Sequence, residues 1–250
     1  MHDYIMHKIN FHQLTSAGDR VYNQDFMLNK IDTNYAVFVL ADGLGGHQAG
    51  EKASRFFCHS FIQYATKYGA LVNSAPKQIV EKWFNDAVAM MADAFQGDPV
   101  AYDAYTTCAI LIITDAYVIS AHCGDSRIYR INQKHIVWRT KDHSIPQKLL
   151  DEGELDEHKM GTHPEQNQLT KSINITNKFQ PDIHVYPPVQ RGETFILCSD
   201  GFWEFTKEHE FVALATVKMD KINLLKQAKL AMFRASGKSD NLTAQWLRIE

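Results

Sequence analysis

The sequence has little of what would set it apart from ordinary globular proteins. Its four cysteines, Cys58, Cys108, Cys123 and Cys198, form no CxxC pair, and each sits in an apolar segment. That pattern argues against a disulfide framework or a zinc site and for buried, reduced thiols. Twelve histidines fall in no HExxH-type spacing, so they announce no metal by themselves. No apolar run approaches the roughly 18 residues of a membrane span. Residues 1–10 carry His, Asp and Lys where a secretory signal would be apolar. Positive charge is not in excess: 26 Lys and Arg against 29 Asp and Glu leave a formal net charge of -3. That excludes a global basic field for nucleic acid. Internal repeats, low-complexity tracts and clean linkers are missing as well. The expectation is a cytoplasmic protein with no nucleic-acid or membrane partner, organised as a single domain over 1–250.

What the chain does have is a run of strand patterns in meander-like order, with helical patterns in pairs between them. Residues 35–41 are apolar almost without a break, as in a strand buried on both faces. This strand delivers Asp42 to its end, where Gly43, Gly45 and Gly46 allow a tight turn before His47 and a helical pattern. Further strands are expected at 8–16, 26–31, 106–114, 117–123, 127–131, 135–140, 194–198 and 242–249. Apolar residues at three- and four-residue steps predict helices over 51–68 and 76–96, with Ser74 and Pro76 at the start of the second. Ser144 suits the cap of a short helix at 146–152, and two more helices are expected over 207–217 and 220–236. Residues 153–188 are polar and hold four of the seven prolines, which reads as a mobile insertion over a site. Hairpin-linked strands with paired helices between them predict an α+β fold. Its architecture would be a four-layer α-β-β-α sandwich, two antiparallel sheets flanked by helix pairs.

Five carboxylates stand where strands end: Asp25, Asp42, Asp125, Asp200 and Asp240. Oxygen-only ligands from separate strand ends suit Mg²⁺ or Mn²⁺. If these side chains converge, mutual repulsion and desolvation imply a cation among them. If they scatter, they are aspartates in turns. Taken singly, the motifs leave both readings open.

Their order is more specific. Arg20-x-x-Asn23-Gln24-Asp25 is followed by Asp42-Gly43-x-Gly45-Gly46-His47, then Gly124-Asp125-Ser126-Arg127. Asp142-His143-Ser144, Ser199-Asp200-Gly201 and Ser239-Asp240-Asn241 complete the series, with Asn167-Gln168-Leu169-Thr170 in the insertion. In this order and at these separations the chain resembles the metal-dependent type-2C protein phosphatases, the PPM family, in their compact bacterial form. The resemblance implies a phosphoserine/phosphothreonine phosphatase using two Mn²⁺ or Mg²⁺ ions, with a possible third, weaker one. Asp42 would bridge both ions, the Gly43 carbonyl would bind one, and Asp200 and Asp240 would complete the other. Asp125 would help hold the third, Gln24 and Asp25 would contact metal-bound water, and Arg20 would grip the phosphate. A hydroxide bridging the metals would attack phosphorus directly, and His47 is the candidate for protonating the leaving oxygen.

Phosphorylated proteins, substrates of a Ser/Thr kinase, are the implied partners of a monomeric enzyme. Residues 145–175 form the implied flap that selects among them. Three positions depart from the family pattern: Gln24 for Glu, Tyr105 for Gly and Ser239 for Arg. None is a direct metal ligand, so activity is expected. The alternatives are a catalytically silent phosphoprotein-binding module of the same fold and a two-metal phosphodiesterase or nuclease.

Overall fold

A computed structural model describes residues 8–45, 47–176, 180–216 and 221–250, and of His47, Gln48 and Thr216 only the backbone. Strand β1 (Ile9–Ser16) is followed by β2 (Asp25–Ile31) and β3 (Tyr35–Leu44), then helices α1 (His47–Gln63), α2 (Ala65–Gly69) and α3 (Pro76–Ala94). Next come β4 (Tyr105–Thr106), β5 (Cys108–Thr114), β6 (Val118–Cys123), β7 (Arg127–Ile131), β8 (Ile136–Arg139) and α4 (Ile145–Asp151). The remaining elements are β9 (Asp182–Tyr186), β10 (Thr194–Cys198), α5 (Asp200–Trp203), α6 (Glu208–Thr216), α7 (Lys221–Ala235) and β11 (Leu242–Ile249). One sheet runs β1-β11-β10-β7-β8 and the other β2-β3-β5-β6-β9, with β4 paired to β3; every pairing is antiparallel. Among the described residues no helix is long and apolar enough to cross a membrane.

Three apolar layers hold four structural layers together, as the sequence predicts. Along β3 the side chains alternate between two buried environments. Phe38 and Leu40 meet Leu111, Phe195 and Leu247 between the sheets, whereas Val37 and Val39 meet Phe57, Phe61 and Trp83 beneath α1 and α3. Burial on both faces explains why this strand is apolar without a break. The third layer packs Ile196, Ala244 and Trp246 of the other sheet against Phe211, Leu224 and Ala228 from α6 and α7. The two fully buried indoles are satisfied: Trp83 Nε1 donates to the Phe61 carbonyl at 2.7 Å and Trp246 Nε1 to that of Leu214 at 3.1 Å. Burying indoles this deeply stabilises only when that N–H finds an acceptor.

Several boundaries differ from the sequence reading, each for a local reason. Strand β3 continues through Asp42 and Gly43 to Leu44, because β4 pairs with its last two residues. The helix expected over 51–68 starts at His47 and divides into α1 and α2. Ser74 does not cap α3; the N-cap is Ala75, with no side-chain bond, and Pro76 opens the helix. Ser144 does cap α4, accepting a bond from the Gln147 amide. The segment read as a mobile insertion is tied down at several points. Its last part forms β9, which pairs with β6, and Thr106 exchanges two backbone bonds with Ile173 at 2.9 and 2.7 Å. Glu157–Thr162 forms a 3-10 turn within it.

Candidate active site

The carboxylates converge at one end of the sandwich. Register pairs Asp25 on β2 directly with Asp42 on β3. Asp125 sits in the β6–β7 turn, Asp200 opens α5 after β10, and Asp240 precedes β11. Arg20, Gln24, Asp42, Gly43, Asp125, Asp200 and Asp240 line a single cavity of about 460 Å³, with Asn167 and Leu169 reaching in from the 145–175 segment. Asp25 is buried and is not one of the lining residues. Its Oδ2 accepts from Ser199 Oγ at 2.7 Å, while its Oδ1 is buried without a hydrogen-bond partner among the described residues.

Each carboxylate rides on a backbone that the fold fixes firmly. The Asp42 carbonyl accepts from the Thr107 amide at 2.8 Å and from Thr106 Oγ1 at 2.9 Å, and the Asp42 amide donates to Thr107 Oγ1 at 3.0 Å. Thr107 Oγ1 also shares a bond of 2.7 Å with Ser126 Oγ, which links the Asp42 strand to the Asp125 turn. Gly43 is required by close approach, since a Cβ there would lie 2.1 Å from the Gly50 carbonyl oxygen of α1. Gly124 has φ +96°, and a Cβ would press to 2.6 Å from Thr107 Cγ2. The Asp125 carbonyl accepts from Trp203 Nε1 at 2.9 Å. His143 brackets the same turn: its Nδ1 accepts from the Gly124 amide at 3.1 Å, and its own amide donates to the Gly124 carbonyl at 2.9 Å. Accepting at Nδ1 requires a neutral ring, consistent with burial lowering the His143 pKa. Asn241 ties the Arg20 loop to β11, taking a bond from the Gln24 amide at 2.7 Å and giving two to the Ala17 and Tyr22 carbonyls at 3.0 and 2.8 Å.

Crowding sets the electrostatics. Burial first, then the neighbouring carboxylates, pushes Asp42 and Asp200 well above the ordinary carboxylate range. Burial likewise raises Asp25 to about 6 and Asp125 to about 7, with Asp240 adding repulsion at the first and Asp142 at the second. These carboxyls therefore sense one another across the cavity, and the scattered-turn reading of the sequence fails. Yet among the described residues no three His, Cys, Asp or Glu side chains form a ready-made metal cage. Local partners account for part of this. Arg20 Nη2 holds Asp240 Oδ2 at 2.7 Å, Asp240 Oδ1 accepts from the Asn241 amide at 2.8 Å, and Asp200 Oδ1 accepts from the Gly201 amide at 2.6 Å. Arg20 is itself more than half exposed at the mouth. His47 opens α1, but its side chain lies outside the described residues.

Two participants have no role of their own in the sequence reading. Thr107 enters it only as part of the Tyr105-Thr106-Thr107 stretch beside the site, yet it holds both Asp42 and Ser126. Glu204 follows Asp200 by one helical turn, and burial together with Asp240 and Asp125 raises it to about 7. The Asp-x-x-x-Glu spacing over 200–204 was the available signal, because it puts both groups on one side of a helix.

A two-sheet sandwich with an oxygen-rich, mutually repelling carboxylate cluster at one end defines a class of metal-dependent hydrolases. The family model described as protein phosphatase 2C matches residues 17–233. The chain belongs to the protein phosphatase 2C family. It is 31% identical over 209 residues to protein phosphatase PhpP of Streptococcus pneumoniae, covering 81% of this chain and 82% of that one. A putative protein phosphatase 2C-type of Streptococcus pyogenes is 28% identical over 228 residues, 90% of each chain. Among solved structures, the serine/threonine phosphatase of Streptococcus agalactiae superposes with a TM-score of 0.78 at 27% identity, over 97% of this chain and 100% of that one. Stp1 of Staphylococcus aureus gives 0.79 at 26% identity, over 100% and 98%. The catalytic domain of PstP, solved in complex with two manganese ions, shares the fold, with a TM-score of 0.76 at 21% identity, over 96% of this chain and 98% of that one.

Proposed function

We propose that this chain is a protein serine/threonine phosphatase that hydrolyses phosphoserine and phosphothreonine monoesters with Mn²⁺ or Mg²⁺. The observation that carries the reading is the convergence of Asp42, Asp125, Asp200 and Asp240 on a single cavity beside Arg20. The donor set fits a hard divalent cation: it is all oxygen, burial and then mutual repulsion push Asp42 and Asp200 up, and a carboxylate oxygen of Asp25 with no partner among the described residues lies beside it. Asp42, the Gly43 carbonyl, Asp200 and Asp240 are the residues that would hold two ions, with Asp125 and Glu204 available to a third. When bound, such ions supply a nucleophilic water near neutral pH and neutralise developing charge on phosphorus.

The chain's own groups do the rest. Gln24, which lines the cavity, and Asp25, buried behind Asp42, would contact metal-bound water. Arg20, free to leave Asp240 for an incoming dianion, positions the phosphate through its planar fork. The 145–175 segment, pinned at its base and reaching in through Asn167 and Leu169, discriminates among phosphoproteins. His47 is kept as the candidate proton donor to the leaving oxygen. Residues 1–250 act as one catalytic domain, working as a monomer in the cytoplasm on substrates of a Ser/Thr kinase.

The test is hydrolysis of 4-nitrophenyl phosphate and of a phosphothreonine peptide with Mn²⁺, with and without chelator. Turnover that needs Mn²⁺ and collapses in Asp200→Asn is expected. Full activity in that variant, or cleavage of a diester in preference to the monoester, would overturn the reading.

A further inference from the structure

Helix α7 buries one face and presents another that nothing in the described structure covers. Leu224, Ala228 and Ala231 pack inward on the sheet, and Ala235 is buried at the end of the helix. The outward stripe is Ile222, Leu225, Lys226, Lys229, Leu230 and Phe233, at helical steps of three and four, and every member is exposed. Phe233 is 80% and Ile222 59% exposed, unusual for side chains of that size on one face. The charge on this face is segregated. Residues 221–239 contain Lys221, Lys226, Lys229, Arg234 and Lys238 but no Asp or Glu, in a chain of net charge -3. Among the described residues only Arg234 of this set has an ion pair, holding Glu210 at 2.6 and 2.7 Å. Lys221, Lys226 and Lys229 make no ion pair among the described residues.

We propose that this face of α7 docks on an anionic lipid bilayer. It is a convex, acid-free helix face in which lysines and large apolar side chains share the same stripe. A protein partner would favour an apolar centre with charges at the rim, because lysine is depleted from interface cores. On a bilayer the same mixture is complementary: apolar tips enter the headgroup boundary while lysine stems lie alongside and their ammonium groups meet lipid phosphates. The contact is peripheral. It revises the sequence expectation of no membrane partner, which rested on the lack of a spanning segment. It does not depend on the phosphatase reading.

The test is co-sedimentation of the full chain with vesicles of phosphatidylcholine, alone or mixed with phosphatidylglycerol, at low and high salt. Binding is expected only to the mixed vesicles and only at low salt. Lys226→Glu with Lys229→Glu should weaken it roughly 30-fold or more, and Phe233→Ala about tenfold. Both variants should keep the wild-type urea transition and aryl-phosphate turnover. Failure to bind the mixed vesicles, or binding that neither variant weakens, overturns the proposal. A solution dimer that Phe233→Ala dissolves would assign the face to a second copy instead and would equally overturn it.

Discussion

Arg127 donates through Nε and Nη2 to the two oxygens of Asp142, at 2.8 and 2.6 Å, with the paired side chains 5% and 1% exposed. The guanidinium lies 3.5 Å from the ring centre of Trp203, the residue whose indole bonds the Asp125 carbonyl. A buried, bidentate, stacked pair thus stands directly behind the Asp125 turn. Removing one partner strands the other charge in a medium that solvates it poorly. Arg127→Met should lower the urea-measured stability by about 3–5 kcal/mol with an unchanged m-value. Adding Asp142→Leu should recover part of that loss. A double variant worse than the single would contradict the stranded-charge account.

Metal removal should couple to pH in a definite direction. Asp25 at about 6 and Asp125 at about 7 lie above the ordinary carboxylate value, so between about pH 4 and 7 the folded chain binds more protons than the unfolded one. Their contribution to stability therefore declines as pH rises through this window when no cation is present. Mn²⁺ at this site would offset the repulsion most where the carboxyls are ionised. The rise in melting temperature from chelator to Mn²⁺ should be small near pH 5 and larger near pH 8. A shift that shrinks with rising pH would refute this.

Thr107 gives a sharper test of positioning. Thr107→Val keeps the shape but removes the oxygen that receives the Asp42 amide and meets Ser126. A loss of about 1–3 kcal/mol in stability is expected from the buried groups left unpaired. Aryl-phosphate turnover at saturating Mn²⁺ should fall about tenfold or more, because Asp42 is no longer held in place. Thr107→Ser should restore most of both; equal damage from Ser and Val would assign the role to packing.

Glu204 should tune the metal rather than the chemistry. Glu204→Gln removes one negative charge beside Asp125 and Asp240. The Mn²⁺ concentration for half-maximal activity should rise about three- to tenfold, with the plateau nearly unchanged. Glu210→Gln, which breaks the Arg234 pair on α6, should cost stability and leave the Mn²⁺ dependence alone. An equal shift in both variants would sink the assignment.

How much of this was legible in the sequence follows from how local each signal is. The layered sandwich could be read because β3 and α3 are fixed by their own periodicity: an unbroken apolar run, and apolar residues every three or four positions. Asp42, Asp125, Asp200 and Asp240 were legible through the order of their motifs, and the structure lines one cavity with all four. What escaped depended on distant partners. Nothing in the local pattern of 182–186 says that β6 will accept it as an edge strand. Thr107 matters because Asp42, 65 residues earlier, needs it. The apparent looseness of 153–188 came from its prolines and polar residues, whereas the bonds from Thr106 and His143 that anchor it are made by main-chain atoms, which leave no compositional trace.

The strand order carries a consequence for synthesis. Strand β11 lies between β1 and β10, and among the described residues β1 has no other neighbour in its sheet. While residues 242–249 are still inside the ribosome, the first strand has no partner along its edge and Asp240 has no fixed seat. A nascent chain holding Asp42, Asp125 and Asp200 would thus be unfinished in exactly the sheet that completes the corner. The four-carboxylate corner would therefore be completed in a single event, when β11 slots home.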